Sequence, residues 1–236
     1  MSDTARIAVI IPALNEGASI ARVLADIPPA MARVIVADNG STDDTAARAR
    51  QGGAQVVSEP ERGYGAACLR AMAALQNDPP DIAAFLDADY SDYPEQLPRL
   101  IAPITAGVAD LVIGSRVAGT AQRGALTPVQ LFGNALSVTL IRLLWGVHYS
   151  DLGPFRAIRW PALMRLGMAD RNYGWTVEMQ VKAARAGLRC IEVPVDYRRR
   201  IGKSKVSGTL TGSARAGHKI LSVIAAEAVR GSRLKR

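Results

Sequence analysis

Ala83-Ala84-Phe85-Leu86-Asp87-Ala88-Asp89 is an uninterrupted apolar run that ends in two acids separated by one residue. A short apolar run of this kind reads as a strand buried on both faces. In open α/β sheets, ligands bind beyond the carboxyl ends of the strands, which is where Asp87 and Asp89 fall. Two carboxylates in such a place repel each other unless a cation lies beside them. A hard divalent ion, Mg²⁺ or Mn²⁺, held by one or two carboxylates and by the oxygens of a diphosphate, relieves that repulsion. A solvated acidic turn is the other reading of the pair taken alone.

The sequence before this run repeats the pattern. Arg6 to Ile11, Arg33 to Ala37, Ala54 to Val57 and Ile82 to Leu86 read as strands. Gly17 to Asp26, Ser41 to Gln51 and Tyr64 to Leu75 read as the helices between them. Apolar strands alternating with helices imply βαβ units and a mostly parallel sheet flanked by helices. Ser41, three residues before Asp44, predicts a capping-box-like start for the second helix. The first strand ends in Ile11-Pro12-Ala13-Leu14-Asn15-Glu16 and the second in Ala37-Asp38-Asn39-Gly40-Ser41-Thr42-Asp43, so both bring acids and amides to the same sheet edge as Asp87. Such groups read a base and ribose hydroxyls in nucleotide-binding sheets, or they turn the chain and cap a helix. Arg62-Gly63-Tyr64-Gly65 opens the third helix, where glycine lets the backbone approach closely and the helix start favours an anion.

In the second half, Leu111 to Gly114 predicts a strand. Pro128 to Trp145 predicts a long helix with Leu131, Ala135, Val138, Ile141 and Leu144/Trp145 on or near one face. Helices at Pro161 to Leu166 and Trp175 to Ala186 and a strand at Leu188 to Val193 follow, then a basic loop from Tyr197 to Gly212. Ser213 to Arg230 reads as a terminal amphipathic helix bearing Ile220, Leu221, Val223, Ile224 and Val229.

The chain has 236 residues, 49% hydrophobic and 21% charged, the composition of an ordinary globular protein. Apolar stretches such as Ile7 to Ile11 and Val223 to Ala226 are too short to cross a bilayer. Met1 to Arg6 lacks a basic start followed by an apolar run, so no secretory signal is expected. Cys68 and Cys190 are expected as buried, reduced thiols, and a cytoplasmic location follows from that. Residues 1 to 120 hold 9 Lys/Arg against 15 Asp/Glu, whereas residues 121 to 236 hold 20 against 6, within a net charge of +8. Such asymmetry points to an anionic partner for the second half: nucleic acid, an anionic membrane surface or a phosphorylated substrate.

Taken in order, these segments resemble the family 2 glycosyltransferases of GT-A fold, and within them the dolichyl-phosphate (polyprenyl-phosphate) hexose synthase branch. The likeness continues through Gly114-Ser115-Arg116, Asp151-Leu152-Gly153-Pro154-Phe155-Arg156, Tyr173-Gly174-Trp175 with Glu178-Met179, Glu192-Val193-Pro194-Val195 and Gly202-Lys203-Ser204-Lys205. It implies a GT-A domain over residues 1–206, followed by a basic amphipathic helix and tail over 207–236. It also implies inverting transfer of a hexose from a nucleotide-diphosphate sugar, UDP-glucose or GDP-mannose, to a polyprenyl-phosphate acceptor. Pro12, Glu16, Asp38, Asn39 and Gly63 would hold the nucleotide, and Asp87 and Asp89 the Mg²⁺ or Mn²⁺ with the diphosphate. Arg116 would act in catalysis, and Arg156, Arg199, Lys203, Ser204 and Lys205 would face the acceptor. The cytoplasmic protein would then reach an inner membrane surface, with peripheral contact through the terminal helix.

The chain departs from that branch at two places. Ser91, followed by Asp92, stands where many such synthases carry Gln, and Val129 to Asn134 carries no Arg on the long helix. A lipid monophosphate is already anionic and requires cations to hold it rather than a strong base. Were the acceptor a hydroxyl, Glu178 is the base the sequence offers, unless it only pairs with Lys182 four residues on. Trp145, Trp160 and Trp175 read first as core residues, and Trp175, beside Gly174 and before Glu178, is the one of the three that an acceptor could meet. Two readings from other classes remain. A nucleotidyltransferase would carry a basic, Gly-rich loop where Pro12 to Glu16 stands. A basic nucleic-acid-binding module accords with a pI near 9.9, but the helix-turn-helix and zinc spacings are missing.

Overall fold

In the first strand, β1 (Ile7–Ala13), every residue but the first is buried, and in β4 (Ile82–Phe85) all four are. Both stand in the middle of the sheet, where each face needs an apolar cover. The computed structural model describes residues 5–31, 33–202 and 210–233. Its other strands are β2 (Arg33–Asp38), β3 (Gln55–Ser58), β5 (Leu111–Ser115), β6 (Arg156–Arg159) and β7 (Cys190–Pro194). The seven form one sheet in the order β3-β2-β1-β4-β6-β5-β7. All pairings are parallel except those of β6, which runs antiparallel between β4 and β5.

Alternate residues divide the core in two. Ala8, Ile10, Ala83 and Phe85 pack with α3 (Tyr64–Leu75), α6 (Trp160–Leu166) and α7 (Trp175–Arg185). Val9, Ile11, Ile82 and Ala84 pack on the opposite face with α1 (Ile20–Ala25) and α4 (Leu97–Thr105). The helix α2 (Thr45–Gln51) joins that second face through Ala49. The chain builds β2 and β3 on one side of β1, then crosses to place β4 on the other. The carboxyl ends of β1 and β4 therefore flank a topological switch point, where a crevice opens.

The terminal parts close the first face. The helix α5 (Pro128–Trp145) is the predicted one, opened by a Thr127/Gln130 capping box with Pro128 in its first turn and ended by Gly146 at φ +72°. The expected face is met at Val138, Ile141 and Trp145, which pack on the core, and not at Leu131, Ala135 and Leu144, which are exposed. Ser137 and Ile141 are buried, whereas Leu131 and Leu144 point outward with Phe132 and Leu143. Leucines ring this helix, so apolar periodicity does not fix which of them turn inward. The last helix, α8 (Leu210–Arg233), begins before the predicted Ser213 and packs on α5 and α7.

Other expectations also shift. The second helix starts at Thr45 after Asp44, because the Ser41 hydroxyl instead accepts the Asn15 N–H at 2.9 Å. A 3-10 turn (Pro94–Gln96), α4 and β6 went unread. Strand β6, Arg-Ala-Ile-Arg, is short and bounded by charge, and nothing local marks it as central. Both cysteines are free; Cys68 is buried and Cys190 half-buried.

Candidate active site

The crevice is a cleft of about 460 Å³. One wall comes from strand ends: Pro12 near the end of β1 and Glu16 after it, Asn39 after β2, and Asp87 and Asp89 after β4, with Gly63 and Tyr64 at the start of α3. Each loop is fastened to its neighbour. Asn15, at φ +52°, accepts the Thr42 N–H at 2.8 Å and so ties the first loop to the second. Asn39 donates to the carbonyls of Glu59 and Glu61 at 3.0 and 2.6 Å and accepts the Gly63 N–H at 2.8 Å. Gly63 is required where it stands: its φ is +153°, and a Cβ there would collide with the Arg171 carbonyl.

The acidic turn is held from both ends. Asp87 accepts the Tyr64 hydroxyl at 3.0 Å. Asp89 takes the Ser91 N–H and hydroxyl on Oδ1 at 2.9 and 2.5 Å, and the Arg200 guanidinium on Oδ2 at 2.5 Å. Tyr90, between them, has φ +65°, a costly value for a bulky side chain, and donates its hydroxyl to Asp26 at 2.6 Å. Asp92 accepts the Asp87 N–H on Oδ2 at 3.3 Å, while its Oδ1 is buried without a hydrogen-bond partner. Burial first, and then the charge of Asp89, push the Asp87 carboxyl up to about 6. Burial, with Asp87 and Asp89 behind it, also raises Asp92 well above the usual carboxylate range.

Such a crowd of half-neutralised oxygens fits a hard divalent cation. Among the described residues no three acids, histidines or cysteines form a closed metal cage. That arrangement suits an ion that draws its remaining ligands from a diphosphate and water.

Opposite stands Arg116, at the end of β5. Its Nε and Nη2 meet Asp151 at 2.8 and 2.7 Å, and its own N–H adds a third bond at 2.9 Å. Asp151 is positioned in turn by Glu192, which accepts the Ser150 and Asp151 N–H groups at 2.8 and 3.0 Å. Three segments distant in sequence thus fix one guanidinium on the cleft wall, where it also lies 5.1 Å from the Tyr197 ring centroid. Val129, Gln130, Gly133 and Asn134 of α5, with Asn172, Tyr173 and Ile220, complete that side.

Several expected residues lie elsewhere. Arg156 is fully buried and gives its donors to the carbonyls of Leu152, Gly153 and Thr176 and to Gln180. Burial lowers it to about 10. It braces the loop over α7 and does not line the cleft. Glu178, expected as a base, is buried and accepts the Ala169 and Asp170 N–H groups at 3.0 and 2.9 Å. Its pair with Lys182, at 2.7 Å, is the i,i+4 contact foreseen. Trp175 is a core residue, packed on Phe85 with ring centroids 5.9 Å apart. Asp38 accepts the Ser41 N–H at 3.2 Å and is not part of the cleft lining. Arg199 turns outward to the Arg123 carbonyl at 2.6 Å. Lys203, Ser204 and Lys205 lie outside the described residues.

Sequence reading overlooked Tyr64, Asn134, Tyr197 and Arg200. A signal for Arg200 existed: along an extended run successive side chains point opposite ways, so Arg198 and Arg200 share the side that Arg199 leaves.

Comparison with known proteins agrees with this geometry. The family described as "Glycosyl transferase family 2" matches residues 8–167. A protein of Mycobacterium tuberculosis (strain H37Rv) described as an uncharacterized glycosyltransferase is 43% identical over 210 residues, 88% of this chain and 92% of that protein. The dolichyl-phosphate hexose transferase of Haloferax volcanii is 34% identical over 233 residues, covering 95% and 96%. Among solved structures, glucosyl-3-phosphoglycerate synthase from Mycobacterium tuberculosis, in complex with Mn²⁺, UDP and glucosyl-3-phosphoglycerate, superposes with a TM-score of 0.75 at 26% identity, over 95% of this chain and 80% of that one.

Proposed function

The chain belongs to glycosyl transferase family 2, and from that premise we propose that it transfers a hexose, with inversion, from UDP-glucose or GDP-mannose to a polyprenyl-phosphate acceptor. It is a glycosyltransferase of GT-A fold, which removes the nucleic-acid module as a reading. The observation that carries the acceptor class is the placement of acids. Among the described cleft-lining residues the only carboxylates are Glu16, Asp87 and Asp89, all on the donor side. A sugar hydroxyl needs a base across the cleft, and Glu178 is held elsewhere. A phosphate monoester needs none.

In this reading Pro12, Glu16, Asn39 and Gly63 hold the nucleoside, and Asp87 and Asp89 hold Mg²⁺ or Mn²⁺. Bound there, the ion supplies Lewis-acid stabilisation of the leaving diphosphate. Asp151 holds Arg116 rigidly toward the space where the two phosphate groups meet, a preorganised charge that needs no rearrangement during transfer. An acceptor phosphate oxygen attacks the anomeric carbon as the bond to the diphosphate breaks, and the nucleoside diphosphate leaves with the electron pair. The donor set is supported by the Mn²⁺ and UDP in the M. tuberculosis synthase. The acceptor is supported by the name of the H. volcanii transferase.

A lipid acceptor requires the cleft to meet a bilayer. No helix among the described residues is long and apolar enough to cross one. The terminal helix does not offer the stripe foreseen for docking. Ile224 is buried in the core, Ile220 and Val223 pack against it, and only Leu221 and Val229 stay exposed. On the outer face of α5, Val129, Phe132, Leu136 and Leu143 are exposed at spacings of three, four and seven residues, and Val129 is also part of the cleft lining. That face carries the membrane contact in our reading. The deciding experiment gives the purified protein Mn²⁺, UDP-glucose or GDP-mannose, and either a polyprenyl phosphate or 3-phosphoglycerate. Glycolipid formation supports the proposal. Turnover of the soluble acceptor alone overturns its acceptor.

A further inference from the structure

Asp89 reaches the cleft with both carboxylate oxygens already answered by protein groups. Oδ1 is occupied by the Ser91 N–H and hydroxyl, and Oδ2 by Arg200 at 2.5 Å. The carboxylate is almost wholly buried, so water and salt screen the pair only weakly. A divalent ion on Oδ2 would stand beside a guanidinium of like sign, and the two would repel each other across that oxygen.

The backbone around Arg200 has little freedom to retreat. Ile201 N–H donates to the Asp89 carbonyl and Arg198 N–H to the Ser91 carbonyl, each at 2.9 Å. Arg198 is wedged between two tyrosines, 3.3 Å from the ring centroid of Tyr90 and 4.1 Å from that of Tyr93. It also donates to the Tyr90 and Asp92 carbonyls at 2.7 and 3.0 Å. The strap is therefore stitched to the acidic turn on either side of Arg200, and only the Arg200 side chain, 31% exposed, is left to swing.

We propose that Arg200 is a resident stand-in for the metal on Asp89, displaced when ion and nucleotide diphosphate arrive together and then re-paired with the diphosphate. This rests on the donor and metal reading above. A guanidinium forks onto phosphate as well as onto carboxylate, so the exchange keeps it paired throughout. Its consequence is thermodynamic coupling: the ion binds poorly alone and well with the diphosphate, and by linkage each ligand strengthens the other equally.

The test is equilibrium binding followed by the electron paramagnetic resonance signal of free Mn²⁺ and by calorimetry, with Mn²⁺ alone and then with UDP and GDP. Arg200→Gln is expected to bind Mn²⁺ alone about tenfold more tightly and UDP or GDP at saturating Mn²⁺ about tenfold more weakly, within the usual range of coupling between sites. Arg200→Lys keeps the charge and is expected to keep weak binding of Mn²⁺ alone. A merely structural Arg200 would weaken both ligands or neither, and thermal melting separates misfolding from exchange. If wild type binds Mn²⁺ with a nucleotide but Arg200→Gln leaves Mn²⁺ alone unchanged or weaker, the exchange is wrong and the donor reading survives. If wild type binds neither nucleotide more tightly with Mn²⁺, both are overturned.

Discussion

Arg116 and Asp151 are 35 residues apart in sequence and form a two-pronged ion pair at 2.8 and 2.7 Å, with Asp151 almost wholly buried. Removing the acid leaves a largely buried cation without its partner. Asp151→Ala is expected to destabilise by about 3–5 kcal/mol. For a chain of this size that lowers the melting temperature by roughly 6–20 °C. Thermal melting checks it; a change under about 2 °C would mean Arg116 finds another anion.

Asp89→Asn is expected to reduce transfer by roughly 10²–10³-fold, the loss typical of one group that stabilises transition-state charge. Far-UV circular dichroism should be unchanged, because the Ser91 and Arg200 contacts lie at the cleft rather than in either core. Metal-dependent turnover at wild-type rate would return the acidic turn to a structural role.

Binding of Mn²⁺ with UDP or GDP should weaken as pH falls through about 6, where Asp87 takes up a proton. The sign follows from the raised value. An acid whose pKa rises on folding resists ionisation in the fold, so its effect on stability is least unfavourable below about pH 4, its ordinary range, and most unfavourable above 6. The bound ion requires the ionised form, so below pH 6 binding must expel a proton, and affinity falls toward about tenfold per pH unit. Calorimetry at pH 5.0 and 7.5 decides, and equal affinities at the two would break the linkage.

Glu178→Gln should lower the melting temperature, since the carboxylate caps two N–H groups and pairs with Lys182. Turnover of the folded variant should stay within a few-fold of wild type. An undiminished melt with a loss of about 10²–10⁴ in kcat would make Glu178 a base after all.

Phe132→Glu with Leu143→Glu should lower co-flotation with anionic liposomes, whereas Leu221→Glu on α8 should change it little. Both α5 side chains are largely exposed, so folding should be unaffected. Wild-type flotation by the α5 double variant would place the membrane contact elsewhere.

Much of the fold was legible because its signals are local. Ile7 to Ile11 and Ile82 to Phe85 are apolar without a break, which only a sheet covered on both faces tolerates. Pro128 to Trp145 carries its own cap and stop. Asp87 and Asp89 stand at a strand end because the apolar run stops there, and chain direction alone puts them at the edge where Pro12 and Glu16 also fall. Tertiary structure decided what such patterns leave open. It turned Arg200 toward Asp89 and Arg199 away, enclosed Arg156 among carbonyls, and set Leu131 and Phe132 outward while Ile141 went in. Each choice depends on a partner brought from afar, as when the antiparallel β6 enters between β4 and β5 and carries Arg156 into the interior. A cation's sequence neighbours do not reveal which oxygen will lie within 3 Å of it; the burial of the intervening chain does.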